Sequence, residues 1–222
     1  MTVALAIAVA AALALAIHIG SMALCARSMG ICIRSVSYGV GPTLVTIGKL
    51  RIRALPLSGF VRLKDSREEL LEPAEWSDAF NHQPAWKQVL LPLGGAMTLA
   101  AAGIAILGNE GWQGFVRGFA QVFLGAFSPF DEAQKYLASF QAFASQHGFF
   151  PVFGLVAVKL AAFNLLPFGP LNGGQALVNL LKRGRPNVRW EDAVARWGVF
   201  ATLLLLLGWL LAICKFVLDR AG

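Results

Sequence analysis

The residues of this chain whose types could do chemistry lie in two stretches, one around residue 18 and one around residue 170. His18 and Met22 are four residues apart, so that on a helix their imidazole and thioether would share one face. A thioether suits copper(I), whereas zinc prefers imidazole, thiolate and carboxylate ligands. The two other histidines, His82 and His147, form no H-x-x-x-H pair. We therefore expect no bound cofactor, and His18 is predicted to be a hydrogen-bonded histidine inside the protein.

The second stretch, residues 164–174, reads Asn-Leu-Leu-Pro-Phe-Gly-Pro-Leu-Asn-Gly-Gly. Just before it, Lys159 places a charge inside an apolar run, where a charge costs at least a few kcal/mol and normally faces the protein interior. One interpretation places its ammonium beside His18, Asn164 or Asn172. The other extends the side chain to the membrane interface.

The elements that must position these residues are predicted to be membrane helices. Hydrophobic residues make up 57% of the 222 residues and charged residues only 14%, which indicates a membrane protein. A hydrocarbon core of about 30 Å takes about 20 helical residues. The predicted spans are residues 2–26, 89–107, 149–166 and 194–218. Alternating apolar residues broken by glycine and proline predict a small β-hairpin or sheet over residues 35–64.

The basic residues predict an orientation. The formal charge is +7, but no zinc-finger spacing or RNA-binding signature is present, so nucleic acid is not an expected partner. Lys and Arg are concentrated in residues 27–87 and 182–189, whereas residues 108–148 contain only Arg117 and Lys135. Because cytoplasmic loops keep the basic excess, both termini are predicted to lie outside and the two basic loops in the cytoplasm. In residues 112–143, aromatic residues at helical spacing predict amphipathic segments that lie on the membrane or pack on the spans.

These motifs together resemble the site-2 protease family, which are membrane-embedded zinc endopeptidases. In that family the first span carries H-E-x-G-H, with a glycine twelve residues after the first histidine, and a later helix carries N-x-x-P-x-x-x-L-D-G-G. With His18 on the first histidine, Gly30 matches this glycine. Between the two, Ala26 and Arg27 match a small residue and a basic residue of the family pattern. Further similar segments are Ser37–Pro42, Pro56–Val61 and Gly94–Thr98. The resemblance implies one site-2 protease-like membrane domain over residues 1–222: an all-α polytopic core with about four transmembrane helices and a membrane-associated β-hairpin.

The chain departs from the family at the residues that do the chemistry. Ile19 replaces the glutamate that accepts a proton, Met22 replaces the second histidine, and Asn172 replaces the ligand aspartate. Loss of a general base alone typically costs about 10²- to 10⁴-fold in rate, and loss of the metal removes the nucleophilic water. The resemblance therefore implies a degenerate and inactive member, with His18 the only retained ligand-type residue.

Three functions remain open at this point. The first is an inactive homologue that binds a transmembrane segment or a partner protein as a scaffold, chaperone or complex subunit. The alternative is an active intramembrane metalloendopeptidase with an atypical metal site. The third is a structural subunit of a larger membrane assembly, docked through its outer aromatic helices. The predicted groove residues are Lys159, Asn164, Pro167, Gly173 and Gly174. The expected surroundings are lipid and a membrane-protein partner in a bacterial inner membrane.

Overall fold

The computed structural model describes residues 2–182 and 190–221 and confirms the predicted helical membrane fold. Its helices are α1 (Val3–Ser28), α2 (Ala85–Leu107), α3 (Asn109–Phe127), α4 (Glu132–Gln146), α5 (Phe149–Asn164), α6 (Asn172–Lys182) and α7 (Glu191–Ala221). Two strands, β1 (Ile33–Ile47) and β2 (Leu50–Leu63), follow α1, and two short 3-10 helices (Pro73–Asp78 and Phe80–His82) precede α2. The basic residues Arg183, Arg185 and Arg189 of the second predicted loop lie outside the described residues.

Three of the four predicted spans are helices long and apolar enough to cross a membrane, namely α1, α2 and α7. The span predicted at residues 149–166 is α5, an apolar helix of 16 residues. It packs against α1, α2 and α3 and lies at the centre of the helices. Its short length follows from the Pro167-containing segment that ends it, because a proline cannot continue the backbone hydrogen bonding of a helix.

The core around α5 consists mainly of small residues. Ala10 and Ala14 of α1 meet Leu99 of α2 and Ala157 and Ala161 of α5, and all five are fully buried. Side chains this small let helix backbones approach closely, which is how helices associate where lipid removes most of the hydrophobic driving force. The result is a tight contact between the helix that carries His18 and the helix that leads to Asn172.

The β-hairpin is bent so that the segment Val36–Tyr38 has neighbours on both sides. It pairs with residues 59–61 on one edge and with residues 50–52 on the other. The bend in β1 is made at Gly39 and Gly41, whose φ angles are +93° and +90°. A side chain at Gly39 would also meet the carbonyl oxygen of Leu55 at 2.7 Å, so glycine is required there.

The two outer segments, α3 and α4, pack on the spans, which is one of the two predicted arrangements. Gly114 of α3 faces Val158 of α5, and Gly118 faces Ala162 one turn further along both helices. The two helices therefore run in the same direction, with α3 covering one side of α5. α7 in turn rests on α3, where the Trp209 indole N–H donates to the carbonyl oxygen of Val122 at 3.0 Å.

Candidate functional site

Three side chains that correspond to the metal-ligand positions of the resembling family meet between α1 and the start of α6. The Asn172 side-chain amide lies 3.1 Å from His18 Nε2 and donates to Met22 Sδ at 3.4 Å. Because an amide NH₂ group can only donate, His18 Nε2 accepts this bond, and His18 Nδ1 is buried with no hydrogen-bond partner among the described residues. His18 and Asn172 are both buried, with 6% and 7% of their surface exposed. The amide of α6 thus holds together the two α1 side chains that share one helix face.

Gly95 of α2 leaves the room that the His18 imidazole occupies. A β-carbon at this position would lie 2.5 Å from the His18 carbonyl oxygen and 2.7 Å from His18 Nδ1. Any residue other than glycine would therefore push α2 away from α1 or turn the ring away from Asn172. Gly95 belongs to the Gly94–Thr98 segment of the family resemblance, and the structure assigns it a steric role.

The position that carries the general base in the family is occupied here by the buried hydrocarbon side chain of Ile19. Ile19 is 3% exposed, and its Cδ1 atom occupies the space that a side chain at Gly59 of β2 would need. The β2 strand at Gly59 and the Ile19 side chain therefore pack directly against each other next to His18. An isoleucine side chain neither accepts a proton nor orients a water molecule.

The donor set does not fit a zinc ion. An imidazole is a good ligand, but a thioether is too soft for zinc, and Asn172 directs its NH₂ group, which has no lone pair to offer, at the other two side chains. In residues 2–182 and 190–221, no three His, Cys, Asp or Glu side chains lie close enough to share a metal ion. A catalytic zinc site needs three protein ligands and an open position for water. These residues offer one such ligand.

Of the predicted groove residues, Asn164 ends α5, Pro167 lies on the connection to α6, and Gly173 and Gly174 lie in the first turn of α6. The Asn164 amide donates to the Leu160 carbonyl oxygen of its own helix at 2.9 Å, and Pro167 is exposed. Side chains at Gly173 and Gly174 would collide with the backbone of Leu165 and Phe168. The two glycines thus let the first turn of α6 lie directly on the preceding loop, which brings Asn172 to His18.

The interpretation that places the Lys159 ammonium beside His18, Asn164 or Asn172 is wrong. Its ammonium donates to the Gly114 carbonyl oxygen at 2.7 Å and to Gln121 Oε1 at 2.5 Å, and both acceptors are on α3. The reason is helical geometry, since Ala157 and Ala161 face the α1 core while Lys159 is about 200° around the helix from each. Lys159 therefore ties α3 to α5 on the side of α5 away from His18.

A cleft of about 460 Å³ lies beside this site and was not predicted from the sequence. It lies between the last residues of β2, the turn after β2, α6 and the first turns of α7. Its lining includes Phe60, Val61, Arg62, Leu63, Asp65, Arg67, Phe80, Val178, Asn179, Glu191 and Ala195. Residues 59–63 pair with β1 along one edge, so their other backbone edge faces α6 across the cleft. Only the dense alternation of charges in residues 62–69 signalled a site here.

Behind the cleft, an ion pair fixes the segment that follows β2. The Lys64 ammonium donates to Asp78 Oδ1 at 2.8 Å and lies 3.6 Å from Glu75 Oε1. Lys64 is nearly buried, and its hydrogen bond holds the pKa of the Asp78 carboxyl below its usual range. In the same segment, Glu68, Glu69, Glu75 and Asp78 are partly or fully exposed and each pairs with a cation of the hairpin region.

Comparison with known proteins shows a family relationship. No curated protein matches the chain. The model of peptidase family M50 matches residues 6–206, which include all of the α1, hairpin and α6 positions described above. Over that length the match establishes the relationship, and the chain belongs to peptidase family M50, the site-2 protease family.

Proposed function

We propose that this protein is a catalytically inactive homologue of the site-2 proteases that binds a transmembrane segment or a partner protein, as a scaffold, chaperone or complex subunit. The observation that carries the proposal is the contact of the Asn172 amide with His18 Nε2 and Met22 Sδ. In this arrangement the Asn172 amide, rather than a metal ion, is the polar contact of His18 Nε2 and Met22 Sδ. Ile19, packed on Gly59, removes the base as well.

The binding half of the proposal is supported by what the chain keeps. The cleft has an apolar lining from Phe60, Leu63, Phe80 and Val178 and an unpaired strand edge at residues 59–63. A strand edge of this kind binds an extended peptide through backbone hydrogen bonds, while side-chain pockets select its sequence. Peptide hydrolysis needs the ligands and the base, whereas peptide binding needs only the edge and the pockets.

The first experiment separates inactivity from an atypical metal site. The detergent-purified protein and a His18→Ala variant are analysed for metals, with the triple variant Ile19→Glu, Met22→His and Asn172→Asp as the matched control that restores the family residues. We expect below about 0.1 equivalent of zinc, copper, iron or cobalt in the first two and close to one equivalent of zinc in the control. A stoichiometric metal in the natural protein that is lost in His18→Ala would overturn the proposal and make proteolysis the function to test.

The second experiment tests binding in the native membrane. A photo-crosslinking amino acid is placed at Phe60 in the cleft, or at Leu206 on the exposed face of α7 as a control. We expect a discrete protein adduct at Phe60 and lipid adducts or none at Leu206. Equal adduct patterns at the two positions would contradict a role for the cleft in binding.

A further inference from the structure

Four charged side chains form a row of ion pairs. Asp65, Arg67 and Glu191 line the cleft, and the row ends at the buried Lys182. Arg67 Nη2 lies 2.6 Å from Asp65 Oδ2, and Arg67 Nη1 lies 3.1 Å from Glu191 Oε1. The same Glu191 oxygen also pairs with the Lys182 ammonium. Arg67 follows β2, Lys182 is the last residue of α6, and Glu191 is the first residue of α7. One carboxylate therefore lies between two cations that belong to two other elements.

The burial of these groups differs along the row. The side chains of Lys182 and Asp65 are 2% and 7% exposed, whereas Glu191 is 26% exposed and lies at a helix start. A buried ammonium needs a carboxylate partner, because an unpaired buried charge is strongly destabilising. Glu191 can leave only if another carboxylate takes its place beside Lys182 and Arg67.

The cleft itself extends from this carboxylate. Arg67 and Glu191 belong to its lining, next to the strand edge at residues 59–63 and to Val178 of α6. Within this row, two anions, Asp65 and Glu191, balance two cations, Arg67 and Lys182, when α7 is in place. The described lining also holds a separate pair, Arg62 with Glu68. An occupant that displaces Glu191 keeps this balance only if it brings one negative charge of its own.

We propose that Arg67 and Lys182 form a carboxylate-binding site, which Glu191 fills in the free protein and which an acidic side chain of an extended partner segment fills in the complex. The inference rests on the proposed binding function and adds the chemistry of the partner. Its segment is apolar where it meets Phe60 and Val178 and carries a glutamate or aspartate at the position of Glu191. The first turn of α7 then acts as an internal competitor for the cleft.

The test uses two synthetic probes and the full-length protein in detergent. The probes are fluorescently labelled valine-rich octapeptides that differ only in a central Glu or Gln, and binding is measured by fluorescence anisotropy. The variant Glu191→Gln removes the internal carboxylate. Asp192→Asn, at the next residue of α7, makes the same change of charge outside the ion-pair row and is the matched control.

We expect Glu191→Gln to bind the Glu peptide about tenfold more tightly than the natural protein and about tenfold more tightly than it binds the Gln peptide. Asp192→Asn should behave as the natural protein does. Thermal unfolding of Glu191→Gln should shift upwards with the Glu peptide only, since the ligand restores the missing carboxylate. If Glu191→Gln does not fold, Glu191→Asp serves instead, because its shorter side chain competes less well and should give an intermediate gain.

Equal binding of the Glu and Gln peptides by Glu191→Gln would overturn the carboxylate site while leaving a peptide-binding cleft in place. Absence of binding by every variant would also overturn it. The proposed function is decided separately by the crosslinks formed from Phe60, which need no assumption about the charge of the partner.

Discussion

The hydrogen bond between Asn172 and His18 predicts a measurable coupling between α6 and α1. The perturbation is a pair of substitutions, His18→Leu and Asn172→Leu, made singly and together. Leucine keeps most of the volume of either side chain and cannot form the hydrogen bond. In the structure the two polar atoms are 3.1 Å apart in a buried site, so that each single change leaves its partner without its main contact.

The magnitude follows from what each change leaves behind. Interhelical hydrogen bonds in membrane proteins contribute about 0.6 kcal/mol on average and at most about 1.7 kcal/mol. Asn172→Leu also removes the contact with Met22 Sδ and leaves His18 Nε2 buried without a donor, so we expect a loss near the upper value, about 1.5 kcal/mol. His18→Leu leaves the Asn172 amide with the thioether alone and should cost about 1 kcal/mol. The double variant should cost about 1 kcal/mol less than the sum.

The assay is equilibrium unfolding in mixed micelles, in which the free energy of unfolding is obtained from tryptophan fluorescence as SDS is added. A control cycle pairs His18→Leu with Thr202→Val, since Thr202 is buried in α7 and bonds to Gly198 of its own helix. That control should be additive within about 0.3 to 0.5 kcal/mol. A coupling of less than about 0.3 kcal/mol between His18 and Asn172 would refute a direct bond. A coupling abolished by a chelator would show that a metal ion links them.

Two further predictions concern charges outside this site. Gln121→Leu should destabilise the protein more than Lys159→Met does, because the first leaves a partly buried ammonium with only the Gly114 carbonyl while the second removes the charge; equal losses in SDS unfolding would contradict the ion-dipole contact of α3 with α5. Asp78 has its pKa lowered by Lys64, so its stabilising contribution is present above about pH 4 and is lost as the pH falls through its folded-state pKa. Asp78→Asn should therefore lower the unfolding temperature by more at pH 7 than at pH 3, and a difference that is constant with pH would argue against this ion pair.

Several features were predictable because they depend on short stretches of chain. Apolar runs of about 20 residues predict membrane helices with little help from tertiary contacts, since the bilayer itself selects them. The bend of the hairpin was signalled by Gly39, Gly41 and Pro42. The departures from the family motifs at Ile19, Met22 and Asn172 were also visible, because these positions are defined by spacing from His18 and from the glycines that follow.

Other features depended on which face of a helix meets which neighbour. Sequence reasoning placed Lys159 inside a span but gave it the wrong partners, because the residue type does not reveal that Ala157 and Ala161 occupy the α1 side of α5. The cleft was missed for the same reason, since Phe60, Val178 and Glu191 come from three elements far apart in the chain. Their proximity is a property of packing.

By itself, the sequence determined that this is a helical membrane protein of the site-2 protease type in which Ile19, Met22 and Asn172 stand at positions of the family's base and of two of its three zinc ligands, because chemical identity and local spacing are written in the residues. Only the tertiary structure decided what the replacements do. It brings the Asn172 amide to His18 and Met22, seats Ile19 against Gly59, and sets Glu191 between Arg67 and Lys182. Most of these contacts join residues that are forty to more than one hundred and fifty positions apart, and the pair of Lys182 with Glu191 links α6 to α7. The contacts of α1 with α6, α2 and the hairpin form because small residues let these elements approach closely.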